Sequence, residues 1–165
     1  IVRGKENKRV EFGVKVNNIQ IDGISFIEHY SFEAFNEGVR LKQCIEYQES
    51  LTGIKVKRVG ADSIYANNAN RTMCTEKGIT TCFTRKGPRP KEEAECLKTA
   101  RKIIGNLRAT VREGSFGNQK QHYSLGRIKA RNMFSERLLL FFGIHTANAA
   151  ILAAREMARR GKKAA

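Results

Sequence analysis

Ile54-Lys55-Val56-Lys57-Arg58-Val59-Gly60-Ala61 runs directly into Asp62-Ser63-Ile64-Tyr65-Ala66-Asn67-Asn68-Ala69-Asn70-Arg71. The first part alternates apolar and polar residues as far as Arg58, the pattern of a strand with one buried face. The strand predicted over residues 54–61 delivers Asp62 at its carboxyl end, where open α/β sheets place their ligands. A carboxylate there is held by the sheet while its head group faces an open crevice. An aspartate in that position is equally an ordinary helix N-cap, and both readings stand at this point. Asn67 to Lys77 reads as a short helix stopped by Gly78.

Upstream, Val10-Glu11-Phe12-Gly13-Val14-Lys15-Val16 has a period of two and predicts a strand. A second strand is expected from Ile19 to about Phe26, with Asn17-Asn18 as the tight turn and Asp22 as a turn or strand-end residue. Residues 32–51 turn helical in period, with Ala34, Leu41, Cys44 and Ile45 on one side and Gly53 as the stop. Downstream, Ile79 to Thr84 is a short strand rich in β-branched residues. Arg85-Lys86-Gly87-Pro88-Arg89-Pro90 holds both prolines and three cations, a loop suited to meeting a polyanion. Helices are expected over 91–107, 108–128 and 135–160. The order gives an α/β or α+β domain with a mixed sheet: a strand-rich part, 1–90, a helical part, 91–160, and a frayed basic tail, 161–165.

Lys and Arg number 31 against 16 Asp and Glu, a formal charge of +15 that exceeds what solubility asks of a small domain. The basic residues are spread along the chain, which favours nucleic acid over a membrane surface as the partner. Cys44, Cys74, Cys82 and Cys96 form no C-x-x-C pair, and His29, His122 and His145 complete no zinc spacing. Four free, mostly buried thiols are expected. No secretory leader is read at the start, and an opening on Ile1 suggests a chain entered within a domain. Leu138 to Ala154 is interrupted by His145, Thr146 and Asn148 and reads as a buried helix, with no membrane partner.

Glu113 lies in Arg108-Ala109-Thr110-Val111-Arg112-Glu113-Gly114-Ser115-Phe116-Gly117-Asn118-Gln119-Lys120-Gln121-His122-Tyr123. If the whole segment is helical, Glu113, Gly117, Lys120, Ser124, Arg127 and Arg131 share one stripe. A metal could sit on the carboxylate while a phosphate backbone crosses Gly117 and meets Lys120, because glycine has no side chain to hold it off. Gly114 and Gly117 each cost about 1 kcal/mol relative to alanine inside a helix, which asks for a compensating reason. The plainer reading is a solvated helix with a surface Glu and Lys.

With these residues quoted, the chain from Val2 to about Ile151 resembles the C-terminal part of a bacterial insertion-sequence DDE transposase. The resemblance is carried by Val2-Arg3-Gly4-Lys5, Val10-Glu11-Phe12-Gly13, Phe32-Glu33-Ala34-Phe35-Asn36-Glu37-Gly38, the Asp62 and Glu113 segments, and Phe141-Phe142-Gly143-Ile144-His145-Thr146-Ala147-Asn148-Ala149. Related transposases carry a signature of Tyr, two residues, Arg, three residues, Glu, six residues and Lys. Glu113 and Lys120 match its second half, whereas the front half departs, with Ala109 at the Arg position and Arg108 one residue early.

The resemblance implies a ribonuclease H-like mixed sheet lacking its first, central strand, followed by a helical C-terminal region. It implies that Asp62 and Glu113 are the second and third of three catalytic carboxylates that hold two Mg²⁺ or Mn²⁺ ions. Lys120 would hold a phosphate, and Tyr123, Arg127, Arg108, Arg85 and Lys86 are further candidates for contacting DNA. The implied partners are double-stranded DNA, as transposon ends and target, and a second copy in a synaptic complex, in the bacterial cytoplasm at the nucleoid. Without the first aspartate the chain alone is expected neither to cut nor to join DNA, and unpaired strand edges are expected to leave it marginally stable. The alternative is a non-enzymatic basic nucleic-acid-binding protein.

Overall fold

Asp22 and Gly23 both take positive φ, 46° and 77°, as a two-residue type I′ turn requires and as Asp-Gly does readily. They join β1 (Lys15–Ile21) to β2 (Ile24–Ser31) in an antiparallel hairpin that closes with Ile21 facing Ile24. The turn expected at Asn17-Asn18 is therefore corrected: both asparagines lie buried inside β1. The pairing steps from Asn17↔His29 to Asn18↔Ile27, a bulge that leaves Glu28 over. Glu28 then accepts from Asn17 Nδ2 at 2.7 Å, which satisfies a polar side chain inside the sheet. Asp22 is confirmed as a turn residue.

The structure is a computed structural model and describes residues 13–84, 86, 87, 95–109, 113–123, 125, 126 and 128–163, with the side chains of Glu95, Cys96, Glu113, Phe116, Lys162 and Lys163 excepted. The expected strand over 10–16 lies largely outside the described residues. The chain divides into two compact units, one of residues up to Asn36 together with Gln119 onward, the other Glu37–Asn118. It is mixed α/β, of the α+β kind: among the described residues a two-stranded antiparallel sheet, a two-stranded parallel one, and helices.

In the first unit the hairpin is covered by α5 (Met133–Lys163). Glu136 Oε1 accepts from the Val14 backbone N–H at 2.9 Å, and Arg155 Nη1 meets Asp22 Oδ2 at 3.0 Å. The helix thus runs from the open end of the hairpin to its turn. The lengths agree: the helical path from Glu136 to Arg155 is about 28 Å at about 1.5 Å per residue, and the strand from Val14 to Asp22 about 26 Å at about 3.3 Å.

Between these ties Leu140, Ile144 and Ala147 are buried, following a helical period of three to four. Gly143 lets the chain cross closely, since a Cβ there would stand 2.9 Å from the Tyr123 carbonyl oxygen. The buried helix expected over Leu138 to Ala154 is a helix buried on one face only: Leu139, Phe142 and Leu152 are exposed. Met133–Gly161 is long and apolar enough to cross a membrane, by length and composition alone, with a mean hydropathy of 1.5 over an 18-residue stretch of it.

The second unit begins with a 3₁₀ turn, Glu37–Val39, and α1 (Leu41–Thr52). The helix starts later than the expected 32–51, and Ala34 lies outside it, exposed. It stops as expected at Gly53, whose φ of 67° lets its N–H bond Glu49 O at 2.8 Å. β3 is only Arg58–Val59 and pairs in parallel with β4 (Thr80–Thr81). Between them α2 (Asn68–Glu76) is capped by Asn67, whose side chain accepts from the Asn70 N–H at 2.9 Å.

The core gathers Leu41, Ile45, Val56, Ala61, Tyr65, Cys74, Ile79 and Phe83, each large side chain stabilising by roughly 1.5–3 kcal/mol on burial. Asn70 Nδ2 is buried with them and donates to Gly38 O and Tyr65 O at 2.7 and 2.8 Å. Of the thiols, Cys44 and Cys74 are buried and Cys82 half-buried, all three free.

After β4 come α3 (Glu95–Leu107) and α4 (Glu113–His122). The single helix expected over 108–128 is corrected, because α4 ends at His122. Leu125 N–H returns to Gln119 O and Gly126 N–H to Lys120 O, the backward bonding that closes a helix C-terminus. At the other end the expected basic tail is partly helical, α5 continuing to Lys163.

Candidate functional site

Asp62 follows β3 and caps a 3₁₀ turn, Ser63–Tyr65. Its Oδ1 accepts from Ser63 N–H at 2.6 Å and from Ser63 Oγ at 3.3 Å. The N-cap reading therefore holds, and it does not use up the group. The side chain is 68 % exposed, and among the described residues no hydrogen bond falls on Oδ2.

Arg108 reaches Asp62 from the far end of α3, its Nη1 standing 3.7 Å from Oδ1. That approach depends on Gly60. A Cβ on Gly60 would lie 3.1 Å from Ile104 Cγ2 and 3.6 Å from Arg108 Cβ, so the missing side chain lets the helix lie directly over the strand end.

Glu113 opens α4 in the same unit as Asp62, and Lys120 stands two turns further along the same helix, exposed. Gly117 between them faces open space, with no described atom within 4 Å of where a Cβ would be. The rest of the expected stripe is not continued: Arg131 lies beyond the helix, and Ser124 and Arg127 lie outside the described residues, as does Arg85. Tyr123 follows α4 and is half-buried, its N–H bonding Gln119 O at 3.2 Å. Lys86 is exposed and donates to Asn68 Oδ1 at 2.8 Å.

Asp62 offers a divalent ion one hard, accessible oxygen, which suits Mg²⁺. Among the described residues no three His, Cys, Asp or Glu side chains are grouped to hold a metal ion. The donor chemistry fits the ion, but one carboxylate supplies only part of the six oxygens that Mg²⁺ takes.

Two cations that the sequence did not single out, Arg71 and Arg101, line a cleft beside Lys86. Arg71 stands in the quoted Asp62 segment, but nothing in its spacing shows which way it points. The chain matches no known family model, no curated protein and no solved structure.

Proposed function

We propose that the chain carries the second and third carboxylates, Asp62 and Glu113, of a DDE transposase catalytic domain with a ribonuclease H-like fold. The observation that carries this reading is the ion pair of Arg108 with Asp62. It sets the residue after α3, five positions before Glu113, beside the end of the strand that presents Asp62. Arg108 precedes the signature arginine position by one residue, and its place beside Asp62 supports it as the signature arginine.

In this reading Asp62 and Glu113 hold a divalent cation, which when bound supplies charge stabilisation at phosphorus and activates the attacking oxygen. Arg108 neutralises Asp62 Oδ1 and fixes the carboxylate's orientation, leaving Oδ2 outward. Lys120 takes a backbone phosphate as a point charge, and Gly117 lets that backbone approach the helix. The high positive charge draws duplex DNA regardless of sequence. The alternative, a non-enzymatic basic nucleic-acid-binding protein, accounts for the charge of +15 but not for the pattern of Glu113 and Lys120.

The test uses the protein translated from the full reading frame, with a DNA bearing its flanking ends. Asp62→Asn and Glu113→Gln should each abolish strand joining while leaving duplex affinity within about threefold, since these groups carry little of the salt-dependent binding. Joining by the Asp62→Asn protein would refute the assignment. The 165-residue chain alone should neither nick nor join DNA with Mg²⁺ or Mn²⁺.

A further inference from the structure

We propose that the cleft between α2, β4 and α3 is a phosphate-binding site, separate from Asp62, that takes a phosphodiester of a nucleic-acid strand. Its volume is about 410 Å³, and Arg71, Lys86 and Arg101 line it from three different segments. Among the described residues that line it, the charged ones are all cations.

Two of the cations, Arg71 and Lys86, are held in place. Arg71 donates through Nε to Ala66 O at 2.9 Å and through Nη2 to Thr84 O at 2.6 Å, and its guanidinium lies 5.6 Å over the Phe83 ring. A guanidinium has five N–H donors, so these two bonds orient Arg71 and leave donors for a ligand. Lys86 is steadied by Asn68 Oδ1, a neutral acceptor that leaves its charge in place.

The cleft also offers a backbone donor. Thr80 N–H bonds Lys57 O and Cys82 N–H bonds Val59 O, both toward β3. In a parallel pair the alternate residue faces the other way, so Thr81 N–H points away from β3, and Thr81 lines the cleft. Buried Phe83 and Ile79 form a low-dielectric wall that strengthens attraction for an anion. Fixed guanidinium, ammonium and amide donors around one space are the chemistry that recognises phosphate. The inference does not depend on the chemistry proposed for Asp62.

The test measures binding of a fluorescein-labelled oligothymidylate by the full chain, using fluorescence anisotropy. Lys86→Glu and Arg101→Glu should each weaken binding about tenfold or more. Each should also lower the salt slope by about 0.7 for every phosphate of the single strand that is no longer neutralised. Lys42→Glu removes the same charge from an exposed position on α1 and should change affinity less than about twofold. Arg71 is avoided because it also ties two carbonyls, and thermal melts followed by circular dichroism check that each variant folds.

Displacement of the strand by millimolar inorganic phosphate would assign the site to free phosphate, and displacement only by unlabelled strand to a phosphodiester. Equal weakening by Lys42→Glu, unchanged binding by the cleft variants, or no binding by the wild-type chain would each overturn the proposal. Loss of joining with the cleft effects intact, or the reverse, separates its failure from that of the transposase reading.

Discussion

Replacing Asn148 by alanine should be among the most damaging single changes in the hairpin unit. Asn148 on α5 is 7 % exposed and presents its amide to Ser25 on β2, itself 2 % exposed. Oδ1 accepts from Ser25 N–H at 2.9 Å and Nδ2 donates to Ser25 O at 2.7 Å. One side chain thus completes both backbone groups of a buried strand residue, as a neighbouring strand would. Gln119 Nε2 adds a third bond, to Ser25 Oγ at 2.9 Å.

Truncation leaves a buried donor and a buried acceptor unsatisfied at about 1–3 kcal/mol each. Entry of one water into the space offsets part of this, so the expected loss is about 2–5 kcal/mol. Set against a typical total of about 5–15 kcal/mol, that is a large fraction. The assays are urea unfolding followed by circular dichroism and hydrogen exchange at the Ser25 amide, which should lose protection.

Asn148→Asp discriminates further. At neutral pH its second oxygen faces the Ser25 carbonyl and repels it, whereas the protonated acid can donate as the amide did. The folded state therefore favours the protonated form and raises the carboxyl above its unfolded value. The stabilising donation is present below about pH 4, the ordinary carboxyl range, and is lost as pH rises through the folded value. A loss below about 0.5 kcal/mol for Asn148→Ala, in the range of ordinary surface substitutions, would refute the reasoning. So would unchanged exchange at Ser25.

Other expectations follow from single contacts. Gly143→Ala forces a methyl to 2.9 Å from Tyr123 O and 2.6 Å from Leu125 Cδ2 and should destabilise by about 1–3 kcal/mol in urea unfolding. Arg108→Ala removes a pair whose carboxylate is largely exposed, so melting should register less than about 1 kcal/mol; a larger loss would mean the arginine's alkyl chain carries the packing over Gly60. Burial pushes the Cys74 thiol up, with Lys77 opposing weakly. Iodoacetamide at mildly alkaline pH should therefore label half-buried Cys82 before Cys74, as read by peptide mass spectrometry; earlier labelling of Cys74 would contradict its burial.

What the sequence by itself determined about this chain is local. Gly53 stops α1 because its φ of 67° is open to glycine at no steric cost. Asn67 begins α2 because its short side chain reaches the Asn70 N–H. Asp62 can be read as a strand-end cap for the same kind of reason. Asp22-Gly23 is legible too, as the stronger I′ pair, but Asn17-Asn18 competes with it for the turn. Choosing between them requires knowing that Glu28 satisfies Asn17 inside the sheet.

Only the tertiary structure decided the contacts between segments far apart in sequence. It ended α4 at His122, where Gly126 folds back on Lys120, and so broke a stripe that periodicity alone would have continued. It buried one face of α5 against the hairpin and left the other exposed, although both are apolar. It set Arg108 beside Asp62 and gathered Arg71, Lys86 and Arg101 around one cleft. Propensity and capping depend on neighbours within a few residues, so a sequence displays them. The meeting of charges and amides depends on how helices pack on strands, which is settled only when the chain closes on itself.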